Sequence, residues 1–291
     1  MHPSTRYAVR LTVRLIGLTV VLLVVAAVGA RFVPAMGEDS AAPELPLGLV
    51  LGLFFVQVAA LAYPVIRSRW SGWRLVATTF VIFFGPVTFM GQIESLVYLG
   101  DKMSAEMLRG IFLMGLFNAA VFAPIAVGVL RPLRTGDAGA GPNGIPPLPA
   151  RALAVRTVAL AALYVMLYYL FGYYVAWHDP GLRAYYGGTD PGSFAAQMAS
   201  VVSGTPWMVP LQFVRALLWV AIALPVVRMM RGPWWEAGLA LSLLFAVPSL
   251  YLLLPNPVMP ENVARIHLIE TLPYQFLFGW VAAWVLRRHG G

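Results

Sequence analysis

Eight apolar stretches, over 8–30, 46–66, 75–98, 107–130, 152–177, 207–227, 233–254 and 263–286, limit what this chain can fold into. An α-helix needs about 20 apolar residues to cross a hydrocarbon layer about 30 Å thick. Lipid offers no partner to backbone N–H and C=O groups, so a lone spanning segment satisfies them only as a helix. The composition agrees. The chain is 60% hydrophobic and 11% charged, where a soluble domain carries about a quarter charged residues. The sequence therefore predicts an all-α, polytopic membrane protein with eight transmembrane helices, and it excludes a water-soluble globule. The bilayer is its first partner.

The formal net charge is +8. Its distribution points to topology rather than to nucleic acid. Arg6, Arg10, Arg14, Arg67, Arg69, Arg74, Arg131, Arg134, Arg151, Arg156, Arg228, Arg231, Arg287 and Arg288 share one side. Arg31, Lys102, Arg109, Arg183 and Arg265 lie on the other, and Arg215 falls inside a span. Short cytoplasmic loops carry the excess of basic residues, so both termini are expected in the cytoplasm of a cell-membrane protein. The start of the chain, with Val28-Gly29-Ala30 after an apolar run, also has the outline of a cleaved signal peptide. Its length, and the repeat described next, favour a retained first span. The absence of cysteine excludes disulfides, thiolate metal sites and a cysteine nucleophile.

The two halves read as copies. Ala60-Leu61-Ala62-Tyr63-Pro64-Val65-Ile66-Arg67 corresponds to Ala221-Ile222-Ala223-Leu224-Pro225-Val226-Val227-Arg228. Trp70 and Trp73 correspond to Trp234 and Trp235. Met103, Arg109 and Val129-Leu130-Arg131 match Met259, Arg265 and Val285-Leu286-Arg287 at one offset, and Ala8-Val9-Arg10 resembles Ala154-Val155-Arg156. The predicted organisation is two tandem four-helix repeats, 1–131 and 151–291, joined by a Gly/Pro-rich cytoplasmic linker, 132–150. An even number of spans per copy gives both copies one orientation and a pseudo-two-fold axis along the membrane normal. The long outer connection, Trp177 to Thr205, is expected to hold a short interfacial helix with Asp190 as N-cap and Pro191 in its first turn. A plain ordered loop is the alternative.

Ionisable residues within spans are costly and mark function by default. Arg215 lies about 12 Å into the sixth span, with Gln212 on its face at i−3. His267, Glu270, Thr271 and Tyr274 share one face of the eighth span. Gln92 and Glu94 on the third span, and Asn118 on the fourth, lie at comparable depth. In the first copy Phe54, Ile111 and Met114 stand in place of Arg215, His267 and Glu270, so the polar set is a property of the second copy. Arg215 and Glu270 are expected within about 5 Å of each other, because two unpaired charges in hydrocarbon cost several kcal/mol each. Such a pair either locks two helices or binds a ligand and handles protons. Pro273 removes the helical partner of the Ile269 carbonyl beside it. Tyr168, Tyr169, Phe171, Tyr173, Tyr174 and Trp177 form either an interfacial belt or one wall of an amphiphile pocket. Arg109 and Arg265 read as headgroup anchors.

Other chemistries have less support. His267-x-x-Glu270, with Glu94 and His178, has metal-ligand spacing, but one such helical pair is a weak signal and no metal is assigned. Ser203 lacks a nucleophile-elbow pattern. Gly139-Ala140-Gly141 is linker composition rather than a nucleotide fingerprint. No cofactor is assigned.

Two four-span halves about an axis along the normal resemble, in architecture, haem A synthase and the quinone-reactive membrane subunits of polysulfide-reductase type enzymes. The resemblance implies paired haem-ligand histidines in each half of a haem A synthase, and the first copy has none within a span. No residue or activity is carried over, since fold does not imply function. The expectation is binding or transport of a small polar or amphiphilic molecule, a lipid included, at an outward-facing pocket formed by Arg215, Glu270, His267, Glu94, Gln212 and Gln92. The alternatives are a non-catalytic assembly or sensor protein and a membrane-embedded enzyme using His267 and Glu270 as acid and base.

Overall fold

The computed structural model describes residues 3–34, 45–100, 102–133, 148–256 and 258–287. Among them the structure is helical. The helices of the first part of the chain are α1 (Pro3–Gly29), α2 (Leu47–Ile66), α3 (Gly72–Phe84), α4 (Met90–Tyr98), α5 (Ala105–Leu130) and α6 (Ala150–Phe171). Two short helices follow, α7 (Pro180–Tyr185) and α8 (Phe194–Gly204), then α9 (Met208–Met229), α10 (Trp234–Ala246) and α11 (Glu261–Arg287). Most of the Gly/Pro-rich linker expected over 132–150, residues 134–147, lies outside the described residues.

Seven segments are long and apolar enough to cross a membrane: Ser4–Phe32, Leu47–Ile66, Gly72–Tyr98, Ala105–Leu133, Ala150–Ala176, Met208–Met229 and Trp234–Leu253. The chain is a helical, multi-pass membrane protein. The seven do not include α11. That helix is 27 residues long, but His267, Glu270, Thr271 and Gln275 make it less apolar.

Three spans expected as plain helices change their winding. Gly72–Tyr98 is α3, a π-helical turn over Gly85–Phe89 and then α4. Pro86 has no N–H to give to the ladder and its ring crowds the preceding turn, which accounts for the break there. Trp234–Leu253 passes from α10 into a 3-10 segment, Val247–Leu253, with Pro248 in its first turn. Ala150–Ala176 ends in a second π-helical turn, Gly172–Ala176.

The chain separates into two compact units, Met1–Asn143 with Arg228–Pro233, and Gly144–Val227 with Trp234–Gly291. In the first, α1 buries Leu15, Leu18, Leu22 and Val25. Their spacing of three and four makes one stripe, and α1 packs it on α5 and α2. Close approach matters here because lipid supplies no hydrophobic drive between helices, which instead associate by dense packing over small residues. At Gly115 on α5, a Cβ would fall 2.1 Å from Thr88 Oγ1. Phe83 on α3 meets Phe122 on α5 with ring centroids 5.4 Å apart. Arg14 donates through Nη1 to the Val129 carbonyl near the end of α5. The residues after α2 and after α9 pair in this unit as an isolated antiparallel bridge, Ser68 with Met230.

In the second unit α10 and α11 form the closest pair. A Cβ on Gly279 would lie 2.6 Å from Ser242 N, and Ser242 Oγ donates to the Phe276 carbonyl at 2.7 Å. Phe245 on α10 stacks on Phe278 of α11 at 6.1 Å. Arg156 on α6 donates through Nη1 to the Val285 carbonyl at 2.9 Å, and Arg287 through Nε and Nη2 to the Val227 carbonyl at 3.2 and 3.1 Å. In the first unit Arg14 makes a like bond, to the Val129 carbonyl.

The connection from Trp177 to Thr205 holds the expected short helix as α8 (Phe194–Gly204), with its cap moved from Asp190 to Ser193, and it holds a further helix, α7. Asp179 caps α7 by accepting from Leu182 N at 2.8 Å, with Pro180 in the first turn. Asp190 instead accepts from Gly192 N at 2.8 Å, in a turn where Gly192 has φ +73°, a conformation that favours glycine. Helix α8 is capped by Ser193, which accepts from Ala196 N at 3.2 Å.

Candidate functional site

The polar residues of α11 join α7 in one hydrogen-bonded chain. His267 Nδ1 lies 2.9 Å from Glu270 Oε2, a separation set by their i, i+3 spacing on one helical face. His267 Nε2 lies 3.0 Å from the hydroxyl of Tyr186, the residue just after α7. The two rings meet edge-on with centroids 5.7 Å apart. Thr271 Oγ1 donates to the His267 carbonyl, closing that turn of α11. Helix α7 is held against α11 by an apolar cluster of Ala176, Leu182 and Val263, with Tyr186 and Ile266 packed on it.

The carboxylate fixes the chemistry of this chain. Ionised Glu270 is acceptor-only, so neutral His267 presents Nδ1–H to it and leaves Nε2 to accept from the Tyr186 O–H. When His267 is protonated, both ring nitrogens donate and Tyr186 accepts. The arrangement can therefore store a proton and pass it between a buried carboxylate and a phenol. A carboxylate holding a histidine in one tautomer is the orienting role it has in hydrolytic triads.

Helix α6 faces this group. Gly172, where α6 passes into its π-helical turn, lies against Glu270, and a Cβ there would sit 3.4 Å from Glu270 Oε1. One turn earlier, Tyr168 lies under Arg215 of α9, with Cζ 5.9 Å from the ring centroid. One turn earlier again, the Tyr164 hydroxyl accepts from Trp219 Nε1 at 3.1 Å, and its ring packs edge-on against Phe278 at 5.2 Å. Successive turns of one α6 face thus meet α11 at Gly172, α9 at Tyr168 and both helices at Tyr164. In the aromatic run that ends α6, Phe171 packs on Tyr274 at 6.0 Å, and Tyr173 and Tyr174 pack on Phe194 of α8.

Arg215 is 2% exposed and Glu270 6%. Glu270 Oε2 is paired with His267 Nδ1, and Arg215 Nη1 donates to Gln212 Oε1 at 2.7 Å. Each charge finds a partner three residues away on its own helix, where geometry is already paid for by the helical backbone. The cation-π contact with Tyr168 adds to the stabilisation of Arg215.

Arg215, Gln212, His267 and Glu270 all lie in the second compact unit, and Gln92 and Glu94 lie on α4 in the first. Gln92 Oε1 and Asn118 Oδ1 are buried with no hydrogen-bond partner among the described residues. His178 is turned into its own connection, with Nδ1 2.9 Å from the Tyr173 carbonyl. Among the described residues no three His, Asp or Glu side chains group as a metal site. Ser203 donates to the Ala199 carbonyl at 2.8 Å on α8. Arg265 pairs with Glu261 at 2.6 Å on the exposed first turns of α11.

Sequence reasoning missed Tyr186 and Gly172. Tyr186 contacts His267 across 81 positions in the chain, and no local pattern marks it. Gly172 sits in a run of tyrosines and reads as an ordinary small residue. Comparison with protein-family models, with curated proteins and with solved structures finds no match.

Proposed function

We propose that the chain is an eight-span membrane protein of two tandem four-helix repeats, whose second repeat binds or moves a small polar or amphiphilic molecule at an outward-facing site. The observation that carries this reading is the Tyr186–His267–Glu270 chain: a buried carboxylate, an oriented imidazole and a phenol, on a helix whose neighbours are apolar. In this reading α11 is the eighth span, and at about 1.5 Å per residue its length crosses the bilayer.

Repetition is supported by contacts that recur at matched positions. Helices α3 and α10 are each 13 residues long, and each gives way to irregular winding at a proline in the same register, Pro86 and Pro248. The ring pairs Phe83–Phe122 and Phe245–Phe278 occupy matching positions. So do the arginine-to-carbonyl bonds Arg14 to Val129 and Arg156 to Val285. The distribution of arginines supports cytoplasmic termini, and it puts α7, α8 and the start of α11 outside.

Each group then has a role. Arg215, held by Gln212 and Tyr168, takes an anionic group of the ligand. Glu270 offsets its charge, and His267 with Tyr186 exchanges a proton with the ligand or the outer solution. Acid–base chemistry on the bound molecule is the second reading, favoured by the orientation of His267 Nε2 toward a titratable hydroxyl.

The test is mass spectrometry of small molecules and lipids that co-purify with the full chain, comparing the unsubstituted protein with Arg215→Leu and Glu270→Gln. The reading expects a defined molecule near unit stoichiometry that both variants lose while remaining folded. Identical content in all three proteins would overturn it.

A further inference from the structure

Gln57, in the middle of α2, is 0% exposed. Its Oε1 and Nε2 are both buried, and neither has a hydrogen-bond partner among the described residues. A glutamine amide carries N–H donors and an acceptor oxygen. Buried polar groups in folded proteins are paired with protein or with ordered water, and hydrocarbon supplies no substitute. The side chains one turn away on its own helix, Leu53, Phe54, Ala60 and Leu61, are all apolar, so α2 itself offers the amide nothing.

A second group, short of its helical partner, lies at the same depth on α3. Pro86 has no N–H, which removes the i+4 donor to the Ile82 carbonyl, and Ile82 is 0% exposed. Helices α2 and α3 pack on each other and are joined by the short loop between Ile66 and Gly72. Gln57 lies nine residues before Ile66 and Ile82 ten residues after Gly72. At 1.5 Å per residue these are about 14 and about 15 Å from the loop. Both groups then reach further the same way. A side chain leans toward the N-terminus of its helix and a carbonyl points toward the C-terminus, and in antiparallel neighbours these are one direction. Gln57 Nε2 does not donate to this carbonyl directly, since it has no partner among the described residues.

The second unit lacks the amide. Gln57 stands ten residues before Arg67, and Leu218 stands ten before Arg228. The winding differs too: a π-helical turn at Pro86, and a 3-10 segment at Pro248. Ordered water and local changes of winding are both ways in which a span accommodates proline.

We propose that Gln57 and the Ile82 carbonyl hold an ordered water molecule in the apolar interior of the first unit, between α2 and α3. Water has the chemistry the two groups require. It accepts from Gln57 Nε2, donates one hydrogen to Gln57 Oε1 and the other to the Ile82 carbonyl, within the range of about two to four bonds made by buried waters. The site is separate from the one on α11 and does not depend on that reading.

The test is water-edited solid-state NMR of the full chain in lipid bilayers, with glutamine, leucine and isoleucine isotope-labelled. The expected result is transfer from water to the Gln57 side-chain amide severalfold stronger than to the backbone amide of Leu61, one turn away and 1% exposed. In Gln57→Leu the Ile82 carbonyl resonance should shift upfield as it loses the hydrogen bond from water, and in Gln197→Leu, on α8, it should stay in place. Transfer to Gln57 no stronger than to Leu61 would overturn the proposal. So would an Ile82 carbonyl unmoved by Gln57→Leu, which would leave any water at Gln57 unshared. If Gln57→Leu fails to fold, Pro86→Ala replaces it: this variant returns an N–H to the Ile82 carbonyl, so transfer to Gln57 should fall severalfold, and unchanged transfer would overturn the proposal.

Discussion

Replacing Gly279 with alanine tests the packing that holds α11, and with it His267 and Glu270. The added Cβ would lie 2.6 Å from Ser242 N, 2.7 Å from the Leu241 carbonyl carbon and 2.8 Å from its oxygen. All three are backbone atoms, so no side-chain rotation relieves the contact. An unstrained carbon contact needs about 3.5 Å, so α10 and α11 must separate by about 0.8 Å. Overpacking of this kind costs about 1–3 kcal/mol, against a gain of about 0.5–1 kcal/mol for alanine over glycine in a helix. The net loss is about 1–2 kcal/mol, or roughly tenfold in the unfolding equilibrium. Gly128 on α5 is the control, since nothing lies within 4 Å of its built Cβ. Unfolding in sodium dodecyl sulfate, followed by circular dichroism from mixed micelles, measures both variants. Gly279→Ala should unfold well before the unsubstituted protein and Gly128→Ala no earlier than it. Equal stability of the two variants would refute the close contact between α10 and α11.

Two further predictions concern the site. His267→Leu leaves the Glu270 carboxylate buried without its ion partner and should destabilise the fold by about 3 kcal/mol or more; adding Glu270→Leu should restore most of that in the same unfolding assay, and no recovery would show the pair to be unimportant to stability. Gly172→Leu pushes a side chain into the space beside Glu270 Oε1, so it should disturb the His267 imidazole in nitrogen-detected NMR, while Gly172→Ala, at 3.4 Å, should leave it unchanged.

Much of the fold is legible because hydrocarbon imposes one simple demand, an unbroken apolar helix about 20 residues long. The breaks within spans are less legible. Pro86 and Pro248 coincide with a change of winding, whereas Pro64, Pro124, Pro225 and Pro273 stay inside continuous helices. A proline alone does not decide which outcome follows. Asp-Pro is a sound helix-start signal, yet it operates at Asp179 and not at Asp190. There the following glycine adopts a positive φ and turns the chain instead. Within the site, His267–Glu270 and Gln212–Arg215 follow from spacing alone, because i, i+3 neighbours meet on any helix. The expected pairing of Arg215 with Glu270 rests instead on charge and depth. Tyr186 and Gly172 come from segments whose approach to α11 depends on the tertiary fold.

The most direct measurement of the central claim, an outward-facing site on α11, uses the absence of cysteine from the chain. Tyr186→Cys, His267→Cys and Arg228→Cys are labelled in intact cells by a membrane-impermeant thiol reagent, before and after permeabilisation. The account predicts that cysteines at 186 and 267 react in intact cells and that the one at 228 reacts only after permeabilisation. Labelling at 228 in intact cells, with 186 and 267 reached only from the cytoplasmic side, would contradict it.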